Sequence, residues 1–168
     1  SGVFVGCTEL TSITVAAGNP VYHSAGNCLI ETETGILIAG CKTSAIPNDG
    51  SVVAIGDEAF RDCTGLTSIT IPDSMEGIGV YAFEDCTGLT SITLPDGVRY
   101  FDTRAFSGCT GLTSITIPDS VEEIGLDAFS GCSSLTDISY GGSETQWAEL
   151  TKEADVPETS TVHYNSKG

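Results

Sequence analysis

Basic residues are scarce in this sequence, which carries 6 Lys and Arg against 23 Asp and Glu in 168 residues, with a formal net charge of −17. No cluster of basic residues is present that could neutralise phosphates, and a field of this sign repels nucleic-acid backbones and anionic membrane surfaces. Long apolar runs are also lacking, whereas about 20 consecutive apolar residues are needed to cross a bilayer. We therefore expect no nucleic-acid partner and no membrane insertion of this segment.

Groups suited to catalysis are few as well. The only histidines are His23 and His163, far apart in the sequence, and neither stands beside a Ser or Cys in a nucleophile motif. The stretch Gly141-Gly142-Ser143 does not open a phosphate-binding helix, and no C-x-x-C pair that would suggest zinc occurs. The sequence predicts a protein without enzymatic activity, cofactor or metal, and it offers no candidate catalytic residue.

What the chain does contain is an internal repeat with a period of 23 residues. Three residue types recur at that spacing: Phe60, Phe83, Phe106 and Phe129; Cys63, Cys86, Cys109 and Cys132; and Leu66, Leu89, Leu112 and Leu135. One such unit buries too few side chains to offset the entropy lost on ordering its backbone. The copies therefore have to stack on one another.

Each copy carries one strand pattern. In the second copy Ile92 and Leu94 alternate with Ser91 and Thr93, and Pro95 ends the pattern because it cannot donate to a ladder. We expect a right-handed coil whose inner parallel sheet takes one strand per repeat, near residues 12–15, 67–71, 90–94, 113–117 and 136–140.

The 56 residues from Cys7 to Cys63 are not a multiple of the 23-residue period, which indicates an insertion. We interpret the chain as a single domain with four parts, listed in chain order: a truncated first repeat (3–15), a β-hairpin insertion (16–45), the 23-residue repeats (46–140) and a C-terminal cap (141–168). The chain opens inside a repeat, so we expect that any export signal lies upstream.

Several shorter elements follow from local patterns. Residues 121–125 alternate like a short outer strand, and residues 127–131 resemble a tight helical turn that ends at a glycine. The insertion contains two strand-like runs around Glu33-Thr34-Gly35. The cap is expected to hold a short helix at residues 147–152 and a strand at residues 161–164.

The repeat C-x-x-L-x-S-I-T-[IL]-P-D-x-V-x-x-I-G-x-x-A-F resembles the BspA-like, or treponemal-type, leucine-rich repeats. This resemblance implies a leucine-rich-repeat solenoid with short outer strands or turns. It also implies a bacterial cell-surface or secreted protein, since several members are adhesins that bind host matrix proteins or other cells. One copy departs from the pattern, because residues 98–102 place Tyr100 and Phe101 where V-x-x-I-G is usual, and an aromatic there could thicken the outer face.

The recurring cysteine, which includes Cys7 in the first repeat, has two interpretations. A row of metal ligands or disulfides is one, and a row of small, buried, apolar residues is the other. We favour the second, and expect these thiols to be buried, reduced and free of metal. Cys28 and Cys41 differ, because the hairpin would place them opposite each other, and whether they form a disulfide stays open.

The candidate binding surface is an array of hydroxyls on the exposed face of the inner sheet: Ser68, Thr70, Ser91, Thr93, Ser114 and Thr116. Such a face can hydrogen-bond a protein or a glycan, and an unliganded polar veneer fits the same pattern. A second column, formed by Asp73, Asp96 and Asp119, is read as turn-forming and not as a calcium site, because calcium needs six to eight oxygens around one centre.

From these observations we expect a monomeric binding module that contacts a host or neighbouring-cell protein or glycan at the bacterial surface. The alternative is a structural spacer, a stiff acidic arm that displays another domain of a larger surface protein. Exposed aromatics on the inner sheet would favour binding, whereas the sequence places hydroxyls there.

Overall fold

The computed structural model describes residues 2–165, and the copies stack into a solenoid with two sheets. Its elements in chain order are β1 (Tyr22–Ala25), β2 (Cys28–Glu31), β3 (Ile36–Ala39), β4 (Ala54–Ile55), β5 (Gly77–Ile78), β6 (Ser91–Thr93), β7 (Tyr100–Phe101), β8 (Ser114–Ile117), β9 (Glu123–Ile124), β10 (Asp137–Tyr140), α1 (Glu144–Leu150) and β11 (Thr161–Tyr164). The inner sheet has the order β6-β8-β10-β11 and is parallel throughout. The outer sheet has the order β1-β2-β3-β4-β5-β7-β9 and is parallel from β3 onwards. The predicted leucine-rich-repeat solenoid is confirmed.

The inner strands appear where three of the five expected ranges lie, at β6, β8 and β10. The expectation of strands at 12–15 and 67–71 was wrong. Residues 67–71 still lie alongside the segment that leads into β6, since the Thr90 amide donates to the Thr67 carbonyl at 3.3 Å. The first repeat, however, is held by the insertion, because the Val15 amide donates to the Ser24 hydroxyl at 2.9 Å. Residues 67–71 therefore lack a second strand partner.

The insertion contains one strand more than the hairpin that the sequence predicted. Strands β2 and β3 pair antiparallel around residues 32–35, as expected. Strand β1 pairs antiparallel with β2 across Gly26-Asn27, where both residues have positive φ (55° and 57°), as a two-residue hairpin turn requires. Strand β3 also pairs parallel with β4 and so begins the parallel part of the outer sheet.

The core is built on a column of phenylalanines. The rings of Phe60, Phe83, Phe106 and Phe129 stack with centroid separations of 5.1, 5.4 and 6.0 Å and interplanar angles of 3°, 3° and 9°. In the divergent copy Phe101 takes the buried isoleucine position and packs edge-on against two rings of the column, at 5.6 Å from each. Tyr100 is 41% exposed on the outer sheet, so the extra aromatic does thicken that face.

The turn before each inner strand is not helical, which corrects the expectation for residues 127–131. Asp127 (φ 56°) and Gly131 (φ 74°) are left-handed and interrupt any helix. Two successive i→i+3 bonds close the segment, from the Ser130 amide to the Asp127 carbonyl at 3.0 Å and from the Cys132 amide to the Phe129 carbonyl at 3.0 Å.

The cap contains the expected helix and strand. Helix α1 begins three residues earlier than predicted because Ser143 and Gln146 form a capping box. The residues after α1 substitute for a further repeat, since the Glu153 and Ala154 carbonyls accept from the Asp127 and Phe129 amides at 2.7 and 2.9 Å.

Candidate binding surface: the inner sheet and its groove

The parallel register places exposed side chains of successive repeats next to one another. Thr93 pairs with Thr116, Thr116 with Ser139, and Ser139 with His163 of the cap. All four are exposed, and neighbouring strands of a sheet lie about 4.8 Å apart. We call this row of three hydroxyl side chains and the His163 imidazole the hydroxyl row.

The predicted site residues are only partly brought together. Ser91, Thr93, Ser114 and Thr116 lie on paired strands, with the first and third forming a second row beside the hydroxyl row. Ser68 and Thr70 are exposed, but they lie on the segment that forms no strand. Ser139 and His163 extend the surface and were missed. Ser139 stands 23 residues after Thr116, so the repeat spacing could have identified it, whereas the cap has no repeat pattern that would align His163 with β10.

A neighbouring column of hydroxyls serves the scaffold. The Thr90 hydroxyl donates to the Thr67 carbonyl at 3.4 Å, and the Thr113 hydroxyl donates to the Thr90 carbonyl at 3.0 Å. Ser160 in the cap continues the pattern, donating to the Leu135 carbonyl at 2.8 Å. By contrast, the six predicted site hydroxyls make no hydrogen bond to any other part of residues 2–165. These six, like the exposed Ser139 hydroxyl, are therefore free to bond a ligand.

The hydroxyl row forms the floor of a groove of about 720 Å³ at the carboxyl ends of the inner strands. Pro95 and Pro118 lie along it, and so do the exposed carboxylates Asp73, Asp96 and Asp119, each of which follows a proline in the sequence. We call these three carboxylates the acidic rim. Backbone bonds close the turn at each of them; the Val98 amide, for example, donates to the Pro95 carbonyl at 3.0 Å. The rim carboxylates accept no hydrogen bond from the described residues, so turn formation does not occupy them.

The acidic rim has no compensating charge within residues 2–165. Each of the five Lys and Arg residues in that range contacts a different carboxylate: Lys42 with Glu9, Arg61 with Glu58 and Glu84, Arg99 with Glu122, Arg104 with Asp127, and Lys152 with Glu149. None of these pairs includes a rim residue. The edge of the groove is therefore negative, and it attracts cations.

The two histidines lie on different sheets. His163 Nε2 is 3.4 Å from Asp137 Oδ1 on the inner sheet, whereas His23 in β1 contacts the Thr32 hydroxyl on the outer sheet. They cannot act on one substrate together. In the part of the chain that the structure covers, no three His, Cys, Asp or Glu side chains are grouped to hold a metal ion.

The cysteine column has a structural use. The thiols of Cys86, Cys109 and Cys132 each donate to a phenylalanine carbonyl of the preceding repeat at 3.1 Å. Burial raises the pKa of the Cys132 thiol to about 12 and that of Cys63 to about 11. These thiols are protonated at neutral pH and poor nucleophiles.

One cysteine of the column was placed wrongly. Cys7 is exposed, because no repeat packs over the first one within residues 2–165. Cys28 and Cys41 are buried free thiols. An irregularity after Leu29 sets the pairing at Leu29–Ala39, so that the two cysteines are offset by one residue and are not directly opposite.

No helix within residues 2–165 combines the length and apolar character that crossing a bilayer requires.

Comparison with known proteins identifies the repeats. The model of the BspA-type leucine-rich repeat region matches residues 38–150 in six copies. No curated protein matches the chain. Solved structures do. A leucine-rich repeat protein from Bacteroides ovatus has 29% identity and a TM-score of 0.64 over 98% of this chain. A leucine-rich cell surface protein from Faecalibacterium prausnitzii has 31% identity and a TM-score of 0.60 over 92%.

The pneumococcal vaccine antigen PcpA has the same fold, with a TM-score of 0.76 at 20% identity over 93% of this chain and 45% of its own. This chain spans 38% of the Bacteroides protein and 47% of the Faecalibacterium protein. Since the family model covers more than half of the sequence, this chain belongs to the BspA-type leucine-rich-repeat family.

Proposed function

We propose that this segment is a non-catalytic binding module of a bacterial cell-surface or secreted protein, and that it serves adhesion. The inner sheet would contact a protein or glycan of a host or neighbouring cell. Membership of the BspA-type family and the likeness to a cell surface protein from Faecalibacterium support the location.

The observation that carries the proposal is that one set of hydroxyls is bonded to the backbone and another set is free. One column, including Thr90 and Thr113, is bonded to the backbone of the preceding repeat. The hydroxyl row, by contrast, is exposed, lies along a groove of about 720 Å³ and makes no hydrogen bond within residues 2–165 except through His163. Paired strands hold this row and β-branched threonines have few rotamers, so little entropy is lost when a ligand binds.

The spacer alternative has an observation of its own. Binding hot spots are usually aromatic, yet Tyr140 beside the groove is only 2% exposed and Tyr164 is half-buried. Apart from His163, the floor consists of the small polar side chains of Thr93, Thr116 and Ser139. A stiff stack with a polar face would also fit a segment that holds another domain away from the cell.

A binding screen separates these two functions. The immobilised segment is tested against purified extracellular-matrix proteins and a glycan array, and we expect at least one ligand. The combined change of Thr70, Thr93 and Thr116 to Lys should weaken that ligand at least tenfold, about 1.4 kcal/mol, because these side chains face the ligand.

A matched control uses the same substitution on another exposed column, Thr64, Thr87 and Thr110, which precedes the inner strands. It adds the same charge and should leave affinity within about twofold, which is less than 0.5 kcal/mol. Equal losses in both variants would remove the ligand site from the inner sheet. A segment that binds nothing on either panel would favour the spacer.

A further inference from the structure

Beside the acidic rim lies a side chain whose polar group has no partner. Tyr140 is 2% exposed and its ring packs on Trp147 at a centroid distance of 5.2 Å. Its hydroxyl makes no hydrogen bond with any other residue in the range 2–165. Burial and the nearby Asp119 carboxylate raise the pKa of this phenol, so it stays a neutral donor and acceptor. The ring is buried, but the hydroxyl oxygen is not fully enclosed, so a ligand can reach it.

Tyr140 stands at the junction of two cavities. It borders the groove and also a cleft of about 420 Å³ between the last repeat and α1, and Asp119 borders both as well. We call the second cavity the cap cleft. Its remaining walls are formed by Val121, Glu122, Thr145, Gln146, Glu149 and Leu150. The groove and the cap cleft therefore share two lining residues, a carboxylate and a phenol.

The cap cleft has the chemistry of a pocket for a long cationic side chain. The half-buried Leu150 can cover an alkyl stem. Asp119 can receive an ammonium or guanidinium group, because it has no ion-pair partner within residues 2–165, whereas Glu122 and Glu149 are paired with Arg99 and Lys152. The Tyr140 hydroxyl can accept a hydrogen bond from the same group. A neutral glycan could bond the hydroxyl row, but it would leave the three rim carboxylates uncompensated.

The distance between carboxylates along the rim matches one extended conformation of a peptide better than another. Equivalent residues of adjacent repeats are about 4.8 Å apart, so Asp73 and Asp119, two repeats apart, are separated by about 9.6 Å. A polyproline II chain rises about 3.1 Å per residue, which places every third residue about 9.3 Å apart on one side. Alternate residues of a β-strand recur about 6.6 Å apart and fit neither one repeat nor two.

We propose that the groove and the cap cleft bind an extended, polyproline-II-like protein segment with Lys or Arg at every third position. One basic side chain enters the cap cleft at Asp119 and Tyr140, and the preceding one contacts Asp73. This inference rests on the proposed binding function and names the class of partner.

The probe is a synthetic peptide of four Lys-Pro-Pro units, titrated calorimetrically into the segment in about 0.15 M salt, where long-range attraction is screened. We expect binding of this peptide and none of the corresponding Gln-Pro-Pro peptide. The triple variant D73N/D96N/D119N should bind at least tenfold more weakly. Tyr140→Phe, which keeps the ring, should bind at least threefold more weakly with an unchanged thermal midpoint.

The matched control is E33Q/E76Q/E123Q, which removes three exposed carboxylates away from the groove. It changes the net charge equally and should leave affinity within twofold. Equal losses in both triple variants would mean non-specific attraction and would overturn the site, and full binding by Tyr140→Phe would overturn the cap cleft as its anchor. If the Lys peptide does not bind while a glycan or neutral protein binds the inner sheet, this inference fails and the proposed function stands.

Discussion

The phenylalanine column should dominate the stability of the solenoid, and Phe83→Ala tests this directly. Phe83 is fully buried, with stacked neighbours at 5.1 and 5.4 Å on either side. Replacing a buried Phe by Ala costs about 3–5 kcal/mol. Two ring pairs are lost, each worth about 0.5–1.5 kcal/mol beyond area burial, so we expect the upper half of that range, about 4–5 kcal/mol.

The assay is equilibrium denaturation in urea, followed by far-UV circular dichroism and by fluorescence of Trp147. Trp147 is the only tryptophan and lies in the cap, so its signal reports on the end of the stack beyond Phe83. Both signals should shift together, because the repeats are coupled through shared interfaces. Leu126→Ala, at a 50% exposed position, is the control and should cost at most about 0.5 kcal/mol.

A cost below about 1 kcal/mol for Phe83→Ala would refute the view that the column carries the core. An unchanged Trp147 transition alongside a shifted circular dichroism transition would instead show that the cap folds independently of the repeats.

Three further outcomes are expected. A thiol reagent added to the reduced native protein should label Cys7 quickly and the six buried cysteines only on unfolding; fast labelling of a second thiol would contradict the burial of the column. Ser143→Ala should lower the free energy of unfolding by about 1 kcal/mol in urea denaturation, because the capping box of α1 is lost; no change would mean that the box contributes nothing. Gly125→Ala should cost about 1–3 kcal/mol in the same assay, since its Cβ would lie 2.2 Å from the Thr103 backbone nitrogen; a neutral effect would show that the repeats can separate there.

The middle of the stack could be predicted from the sequence because each repeat there has a copy on either side. The period fixes which residues are neighbours, so the strand at 114–117 and the buried cysteines at 86 and 109 follow from the 23-residue spacing alone. The burial of Phe101 follows in the same way, since its position in the repeat is a core position.

The ends could not be predicted in this way. Cys7 fits the C-x-x-L pattern within a repeat, but no repeat packs over it within residues 2–165. Residues 67–71 lack a second strand partner because the first repeat is held by the insertion. The dipeptide Gly26-Asn27 could have predicted the hairpin turn between β1 and β2, since both residues tolerate positive φ. The left-handed Asp127 was not, because aspartate adopts that conformation only in particular contexts.

The groove was missed for a related reason. Its floor includes His163 of the cap, which lies outside the repeat pattern. Its rim consists of residues that stand 23 apart in the sequence, but the rim is negative only because the basic residues form ion pairs elsewhere. A sequence pattern identifies the aspartates at 73, 96 and 119, but only the structure shows that the basic residues within 2–165 are bonded elsewhere.

The position of a bound ligand tests the central claim most directly. Amide chemical shifts of isotopically labelled segment can be recorded while the Lys-Pro-Pro peptide, or any ligand found in the screen, is added. Shifts confined to Thr93, Thr116, Ser139 and their groove neighbours, with Tyr100 and Glu123 of the outer sheet unchanged, are the predicted result. Shifts confined to the outer sheet would contradict it.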